Sequence, residues 1–129
     1  MPTLPGWFNQ QGYTTISLGK VLHHSNDAVA SWTEAPWDPQ NDSVPGYKKW
    51  RNYLLEENIR EDMKKDGILP AFEAADVDDD AYFDGKVAVR AIEYLQRFQQ
   101  QDEPFFLAVG FVKPHLPFNA PSKYWDLYP

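Results

Sequence analysis

The sequence contains no cysteine among its 129 residues, and basic residues are outnumbered by acidic ones, 12 to 19. Without cysteine the chain can form no disulfide, thiolate metal site or cysteine nucleophile. The formal net charge of -7 argues against a nucleic-acid surface, because phosphate binding needs clustered Lys and Arg. No apolar run approaches the ~18 residues of a membrane span, and residues 1–12 lack the pattern of a signal peptide. We therefore expect neither nucleic acid nor membrane as a partner.

The composition is that of a globular protein. Hydrophobic residues make up 43% and aromatic residues 16% of the chain, whose length suits at most one domain. Because the overall charge is negative, an anionic substrate would have to be met by a local cationic site. A helix-like segment follows Met1 at once, and Pro129 follows an aromatic cluster, so both ends look like cuts within a longer protein.

Hydrophobic periodicity predicts helices that alternate with strands. The predicted elements are a short helix capped by Thr3 and stopped by Gly12, a strand over Tyr13–Leu18, a helix over Lys48–Lys65, a helix with Asp84 as N-cap that runs to Gln101, a strand over Phe105–Phe111 covered on both faces, and a last helix over Ser122–Tyr128. Residues 25–47 and 68–80 are expected to be loops, the second acidic. This order indicates an α/β fold with a mostly parallel sheet flanked by helices.

Two of the predicted strands end in turns that carry lysine and histidine. Lys20 and His23 follow the first strand, and Lys113 and His115 follow the second. If both strands belong to one parallel sheet, the two turns lie at the same edge, where α/β proteins bind ligands. Either turn alone is more often a solvated loop. Together, the two Lys–His pairs suggest a cationic pocket for a tetrahedral dianion, since Lys supplies a compact charge and His a tunable donor.

The residues around both turns carry a more specific pattern. The segment Tyr13–Lys20 (YTTISLGK) with His23, together with Phe105–Phe118 (FFLAVGFVKPHLPF), resembles the sulfatase family of the alkaline-phosphatase-like superfamily. The three-residue step from Lys20 to His23 is similar to the iduronate-2-sulfatase branch, and Pro121–Tyr128 continues the second signature. The resemblance implies an alkaline-phosphatase-like α/β sandwich. Residues 1–129 would be the central part of its catalytic domain, without the nucleophile and metal-ligand segments.

The resemblance also implies roles for individual residues. Lys20 and His23 would hold sulfate oxygens and the hydrated formylglycine, and His115 would contact sulfate or protonate the leaving alkoxide. These three are the expected catalytic residues. Lys113 would be a secondary cation that faces the substrate. His24 has no counterpart in the motif and is expected to be an ordinary loop histidine.

Two parts of a sulfatase site are missing from this sequence. The family's nucleophile is a Cys or Ser in a (Cys/Ser)-x-Pro-x-Arg context, and the best match, Ser43–Tyr47, has Tyr in place of Arg, so we reject it. The calcium expected in the intact enzyme takes ligands from segments that are not present here. We interpret the acidic run Asp76–Asp80 as solvated and expect no metal or other cofactor within this chain. The chain alone is therefore expected to be inactive.

The main hypothesis is a segment of a sulfuric ester hydrolase that acts on sulfated carbohydrate or a small sulfate ester. One alternative is a phosphodiesterase or phosphonate hydrolase of the same superfamily, because sulfate and phosphate esters share charge and shape. Another is a non-catalytic paralogue that binds sulfated glycan, with Trp32, Trp37 and Tyr47 stacked on a sugar, although such residues more often pack their own loop. A third is a metal site formed by the histidines. Exposed apolar faces would permit a homo-oligomer. Family members are commonly secreted, periplasmic or lysosomal, and the sequence does not choose among these.

Overall fold

The computed structural model describes residues 1–24, 27–40, 51–64 and 66–128. Its elements in chain order are α1 (Leu4–Gln10), β1 (Thr14–Gly19), a 3-10 turn (Val29–Ser31), α2 (Glu56–Met63), β2 (Phe72–Ala75), α3 (Phe83–Gln99), β3 (Phe105–Gly110), β4 (Phe118–Pro121) and α4 (Ser122–Trp125). Within the described ranges, no helix is long and apolar enough to cross a membrane.

The main sheet pairs β1 with β3 in parallel. The register runs from Thr14 opposite Phe105 to Gly19 opposite Gly110, so both strands end at the same level. This pairing confirms the predicted α/β fold. It also meets the condition for a shared site, which was that both strands belong to one parallel sheet. The turns that carry Lys20 and His115 leave one edge of one sheet.

Helices cover both faces of this sheet, because alternate residues of a strand point to opposite sides. On one side Ile16 and Leu18 join Val87 of α3 in the core, and Leu18 and Val87 are fully buried. On the other side α1 packs against the strands, and the ring of Phe8 stacks on that of Phe106 with 4.8 Å between centroids. Removal of this apolar area from water stabilises the sheet by about 25 cal/mol per Å².

The start and the end of α1 follow the sequence prediction. The Thr3 hydroxyl accepts a hydrogen bond from the backbone N–H of Gly6 (3.1 Å), which satisfies one of the unpaired donors at the helix start. Gly12 adopts a φ of 83°, in the left-handed region that glycine enters at little cost, and the chain turns there into β1.

The first long loop is more ordered than predicted, because part of it lies along the free edge of β1. The N–H groups of Thr33 and Trp37 donate to the carbonyls of Thr15 (2.9 Å) and Ser17 (3.0 Å). The N–H of Gly19 then donates to the carbonyl of Trp37 (2.7 Å), and Leu18 and Trp37 form a parallel bridge. The loop predicted over residues 25–47 is thus found in the described residues 27–40, with a 3-10 turn and an isolated bridge at Trp37 as its regular features. Residues 25–26 and 41–47 of that loop lie outside the described residues.

A second parallel sheet, β2 with β4, was missed. Phe72 pairs with Phe118, and Ala75 pairs with Pro121. The prediction of a loop over residues 68–80 was wrong for β2, although the acidic residues beyond it are exposed as expected. Each strand has four residues and β4 ends in proline, so neither shows the alternation by which a strand is recognised.

The helix predicted over Lys48–Lys65 is wrong in its first half, because α2 begins only at Glu56. Asn52 has a left-handed φ of 50°, which a helix does not contain, and the hydroxyl of Tyr53 donates to the carbonyl of Pro70 (2.6 Å). Tertiary contacts thus hold this segment outside the helix. Residues 48–50 and 65 lie outside the described residues.

The strong helix α3 was predicted with the wrong N-cap. Tyr82 occupies the cap position, and Asp84 lies inside the first turn with its carboxylate bonded elsewhere. At the other end the helix stops at Gln99 rather than Gln101. The N–H of Gln100 donates to the carbonyls of Arg97 and Phe98, which are closer along the chain than the fourth residue back that an α-helix uses.

The last two predicted elements are shorter than expected. β3 ends at Gly110, and α4 covers only Ser122–Trp125. Phe105 and Val109 of β3 are 41% and 37% exposed, so the cover predicted for both faces of this strand is incomplete in this chain.

Candidate anion-binding cleft

An open cleft of about 850 Å³ lies at the carboxyl edge of β1 and β3. Lys20 and His23 from the first turn line it together with His115 from the second. Three of the four predicted site residues are therefore brought to one cavity. The fourth, Lys113, does not line it.

Two glycines let the turns leave the sheet side by side. Gly19 has a φ of 71°, and a Cβ there would stand 2.3 Å from the carbonyl oxygen of Gly110. The N–H of Lys20 donates to that same oxygen (2.7 Å), which extends the strand pairing into the first turn. A side chain at Gly110 would meet the backbone of Lys20 at 2.2 Å. The site thus depends on a backbone approach that only glycine permits.

The first turn folds its cation back onto its own backbone. The amine of Lys20 donates to the carbonyl of His23 (2.6 Å), which holds the positive charge at the wall of the cleft. The rings of His23 and His24 meet edge to face with 4.4 Å between centroids. His24 also lines the cleft, so its position is closer to the site than that of an ordinary loop histidine.

The imidazole of His115 is oriented by the next residue. Its Nδ1 lies 2.7 Å from the carbonyl oxygen of Leu116, and since a carbonyl only accepts, this nitrogen carries the proton in that bond. Nε2 is then the acceptor of the neutral ring and a second donor of the charged ring. A histidine in this tautomer leaves Nε2 available to face a ligand in the cleft.

Lys113 lies behind the cleft in a separate cavity of about 20 Å³, which Tyr82, Asp84 and Asn119 also line. Burial lowers the pKa of the Lys113 amine, and the nearby charge of Asp84 opposes that shift. The structure thus places this lysine beside a carboxylate and apart from Lys20.

The cleft also contains two acidic residues that sequence reasoning had not singled out, Asp27 and Asp38. Asp38 lines it and is 9% exposed, and its Oδ1 accepts the N–H of Gln40 (2.7 Å). No local pattern marks this residue, because it follows a tryptophan within an irregular loop.

Two tryptophans complete the wall of the cleft. Trp32 is 7% exposed, whereas Trp37 is half-buried with the guanidinium of Arg90 5.3 Å from its ring centroid. Trp32 therefore packs the loop onto the domain. Trp37 also packs within the domain, but part of its ring faces the cleft, and the guanidinium of Arg90 helps to hold that ring in place. Tyr47 lies outside the described residues.

A network of charged and polar side chains connects α3 to Glu34, which lies in the loop between Trp32 and Trp37. Glu34 accepts hydrogen bonds from the hydroxyl of Tyr94 (2.5 Å) and from Arg97 (2.7 Å). Burial raises the pKa of Glu34, but the bonds from Tyr94 and Arg97 outweigh it and the pKa is lowered overall. Burial, and next the bond to Glu34, raise the pKa of Tyr94. Glu34 thus stays ionised to a lower pH than an unperturbed glutamate.

Across the described ranges, no three His, Asp or Glu side chains are grouped so that they could hold a metal ion. The three histidines therefore form no metal site. These residues also do not fit the calcium that the family resemblance implies, because calcium needs several convergent oxygen ligands. The rejected nucleophile match at Ser43–Tyr47 lies outside the described residues.

A parallel sheet covered by helices, with a cleft lined by Lys and His side chains at its carboxyl edge, defines an α/β domain with its cleft where such domains bind ligands. A family model described as Sulfatase matches residues 1–129, and the chain belongs to the sulfatase family. This membership confirms the resemblance found in the two turn motifs.

Among its relatives, the chain is 34% identical to the iduronate 2-sulfatase of Mus musculus, over 98% of this chain and 23% of that protein. It is 33% identical to the iduronate 2-sulfatase of Homo sapiens over the same shares. An uncharacterized sulfatase of Escherichia coli (strain K12) is 27% identical, over 98% of this chain and 25% of its own length. The chain thus spans about a quarter of the length of these relatives.

Proposed function

We propose that this chain is the part of a sulfatase catalytic domain that binds the sulfate ester of a sulfated carbohydrate. The observation that carries the proposal is the presence of Lys20, His23 and His115 in one cleft at the end of the parallel sheet. The similarity to two iduronate 2-sulfatases supports a sulfated sugar as the substrate.

Charge explains why a local site is needed. The chain carries a formal charge of -7, so its overall field repels a sulfate ester. Lys20 provides a fixed positive charge, and a hydrogen bond to a charged group contributes about 1.5–3 kcal/mol. His23 and His115 add donors from the two turns, and together the three side chains can compensate the unfavourable field.

In the proposed division of roles, Lys20 and His23 hold the sulfate oxygens. His115 gives a proton from Nε2 to the alkoxide oxygen as the ester bond breaks, and the Nδ1 contact with Leu116 keeps the ring oriented. The family's formylglycine supplies the attack on sulfur in an intact enzyme. This chain contributes binding and proton donation, and Trp37 offers the sugar an aromatic surface.

Replacement of Lys20 by Ala should weaken sulfate binding about tenfold, because it removes the fixed charge of the cleft. Titration of the chain with sodium sulfate and with 4-nitrophenyl sulfate, followed by NMR amide shifts, measures this effect. Lys64→Ala is the matched control, since it removes the same charge from the end of α2, far along the chain from the cleft residues. Equal affinity in both variants would contradict the proposal.

The 129-residue chain should hydrolyse no 4-nitrophenyl sulfate, because it contains no cysteine and no Ser in a Ser-x-Pro-x-Arg context. Release of 4-nitrophenol, followed by absorbance over a day at neutral pH, measures this. Turnover that disappears in Lys20→Ala would show that the chain has a nucleophile of its own and would end this part of the proposal.

The rival functions give different results in the same titration. A phosphodiesterase or phosphonate hydrolase would bind phosphate monoesters and diesters more tightly than the matching sulfates. A non-catalytic paralogue would bind sulfated glycan at sub-millimolar affinity without hydrolysis, and Trp37 in the cleft is the feature that favours it. The named relatives are sulfatases, so the sulfate ester is the first choice.

The expectation of a homo-oligomer has no support in the structure. Val89, Ile92 and Leu95 of α3 are exposed, as are Phe105 and Val109 of β3, but nothing identifies a second copy as what covers them.

A further inference from the structure

The carboxylate of Asp84 links the start of α3 to the turn that carries His115. The backbone N–H of Val112 donates to Oδ1 of Asp84 (2.8 Å), and the N–H of Lys113 donates to Oδ2 (2.9 Å). Both oxygens are thus used on consecutive amides directly beyond β3. Asp84 itself does not line the cleft.

We infer that Asp84 is a positioning residue for His115, which it holds at the cleft through the backbone of the intervening turn. This inference rests on the proposed sulfate-binding function of His115. A second hydrogen bond completes the connection, because the N–H of His115 donates to the carbonyl of Val112 (2.9 Å). The path from the Asp84 carboxylate to the imidazole therefore contains one short, hydrogen-bonded turn.

The carboxylate of Asp84 lies at a helix start and beside a lysine. Asp84 lies in the first turn of α3, where the N-terminal end of a helix stabilises a negative charge. Lys113 lines the same small cavity as Asp84, and the charge of Asp84 opposes the burial that lowers the pKa of the lysine. Val112 is 8% exposed, so water competes little for its N–H. We accordingly interpret Lys113 as a partner of Asp84 within the support of the turn.

Asp84→Asn separates a positioning role from a role in helix stability. Asn keeps the shape of Asp but has one acceptor oxygen and one donor NH₂, so it cannot accept from both amides. Glu57→Gln is the matched control, because it removes one charge from the first turn of α2, which contributes no residue to the cleft. Asp84→Glu retains a carboxylate with two acceptors and serves as the conservative variant.

The test uses NMR on the full chain. In Asp84→Asn, hydrogen exchange should accelerate about tenfold at Val112 or Lys113, whichever amide faces the new NH₂, since one of the two bonds is lost. The shift of the His115 ring on addition of sodium sulfate should fall by about half or more, while the shift at the Lys20 amide persists. Glu57→Gln should change neither quantity, and Asp84→Glu should restore part of the exchange protection.

Unchanged exchange at Val112 and Lys113, or an unchanged sulfate response of His115 in Asp84→Asn, would overturn the inference. If Asp84→Asn does not fold by circular dichroism, Asp84→Ser, which keeps a single acceptor oxygen, replaces it, and a His115 response equal to that of the unmodified chain then overturns the inference. If the unmodified chain does not respond to sulfate, the proposed function fails. In that case, the exchange rates of the Val112 and Lys113 amides in Asp84→Asn, and the NMR contacts of the His115 ring with other cleft residues, still test whether Asp84 sets the position of His115.

Discussion

Gly19→Ala should destabilise the chain by about 3 kcal/mol or more and abolish the sulfate response of the cleft. A left-handed φ costs a residue with a Cβ about 1–2 kcal/mol. The new Cβ would also stand 2.3 Å from the carbonyl oxygen of Gly110, which is backbone and can move only if the strands separate. Such overpacking costs about 1–3 kcal/mol more. Urea denaturation followed by circular dichroism measures the loss.

Gly12→Ala is the control for this experiment. Gly12 has a φ of 83°, but a Cβ there would meet nothing within 4 Å, so this variant bears the backbone cost alone. We expect it to lose about 1–2 kcal/mol and to keep the sulfate response. If the two variants lose equal stability, the close approach of β1 and β3 is not what requires glycine at position 19.

Glu73→Ala should cost about 3 kcal/mol, because Glu73 is the buried acceptor that joins β2, α2 and the start of α3. Its side chain is 2% exposed and accepts hydrogen bonds from the N–H groups of Leu54 (2.7 Å) and Leu55 (3.1 Å). It also accepts from the side chains of Asn58 (2.7 Å) and Tyr82 (2.8 Å). Truncation leaves these donors, of which Tyr82 is buried and the others are partly buried, without their acceptor. Each donor that is cut off from water and finds no substitute costs about 1–3 kcal/mol.

The measurements are urea denaturation and an alkaline absorbance titration of tyrosine. Burial, and next the hydrogen bond to Glu73, raise the pKa of Tyr82 well above its ordinary value. Because the folded pKa is raised, the associated stability is present below the unfolded value of about 10 and is lost as the pH rises above it. In Glu73→Ala the pKa of Tyr82 should fall, although burial keeps it raised.

Glu57→Ala is the control, since this exposed glutamate should change stability by less than about 0.5 kcal/mol. Glu73→Gln should lie between the two, because its amide can replace one acceptor but adds a donor where donors already converge. A loss in Glu73→Ala no larger than in Glu57→Ala would show that Glu73 is not what joins these elements.

Local patterns were sufficient for the elements that form the main sheet. The Thr3 cap, the alternation before Gly19 and the helical spacing of Ala91, Leu95 and Phe98 each depend on neighbours a few residues away. The parallel pairing of β1 with β3 follows from the helix between them, and it confirms that the two turns share one edge. The sulfatase family was likewise identified from the two turn motifs.

Elements that depend on distant partners were not predictable. β2 and β4 have too few residues to show a period, and each is a strand only because the other lies beside it. The edge position of Trp37 arises from hydrogen bonds to Ser17 and Gly19 across the loop. Asp84 was interpreted as an N-cap, because the two amides that donate to its carboxylate lie beyond β3, far along the chain.

By itself the sequence determined the α/β class, the main strands and the family, and it marked Lys20, His23 and His115, because periodicity and motif spacing are local properties. The tertiary structure decided that these three residues line one cleft and that Lys113 lines a separate cavity with Asp84. It also decided that positions 19 and 110, at the strand ends, have no room for a side chain. The reason is physical: whether a carboxylate caps a helix or holds a remote turn depends on which donors the fold brings within about 3 Å.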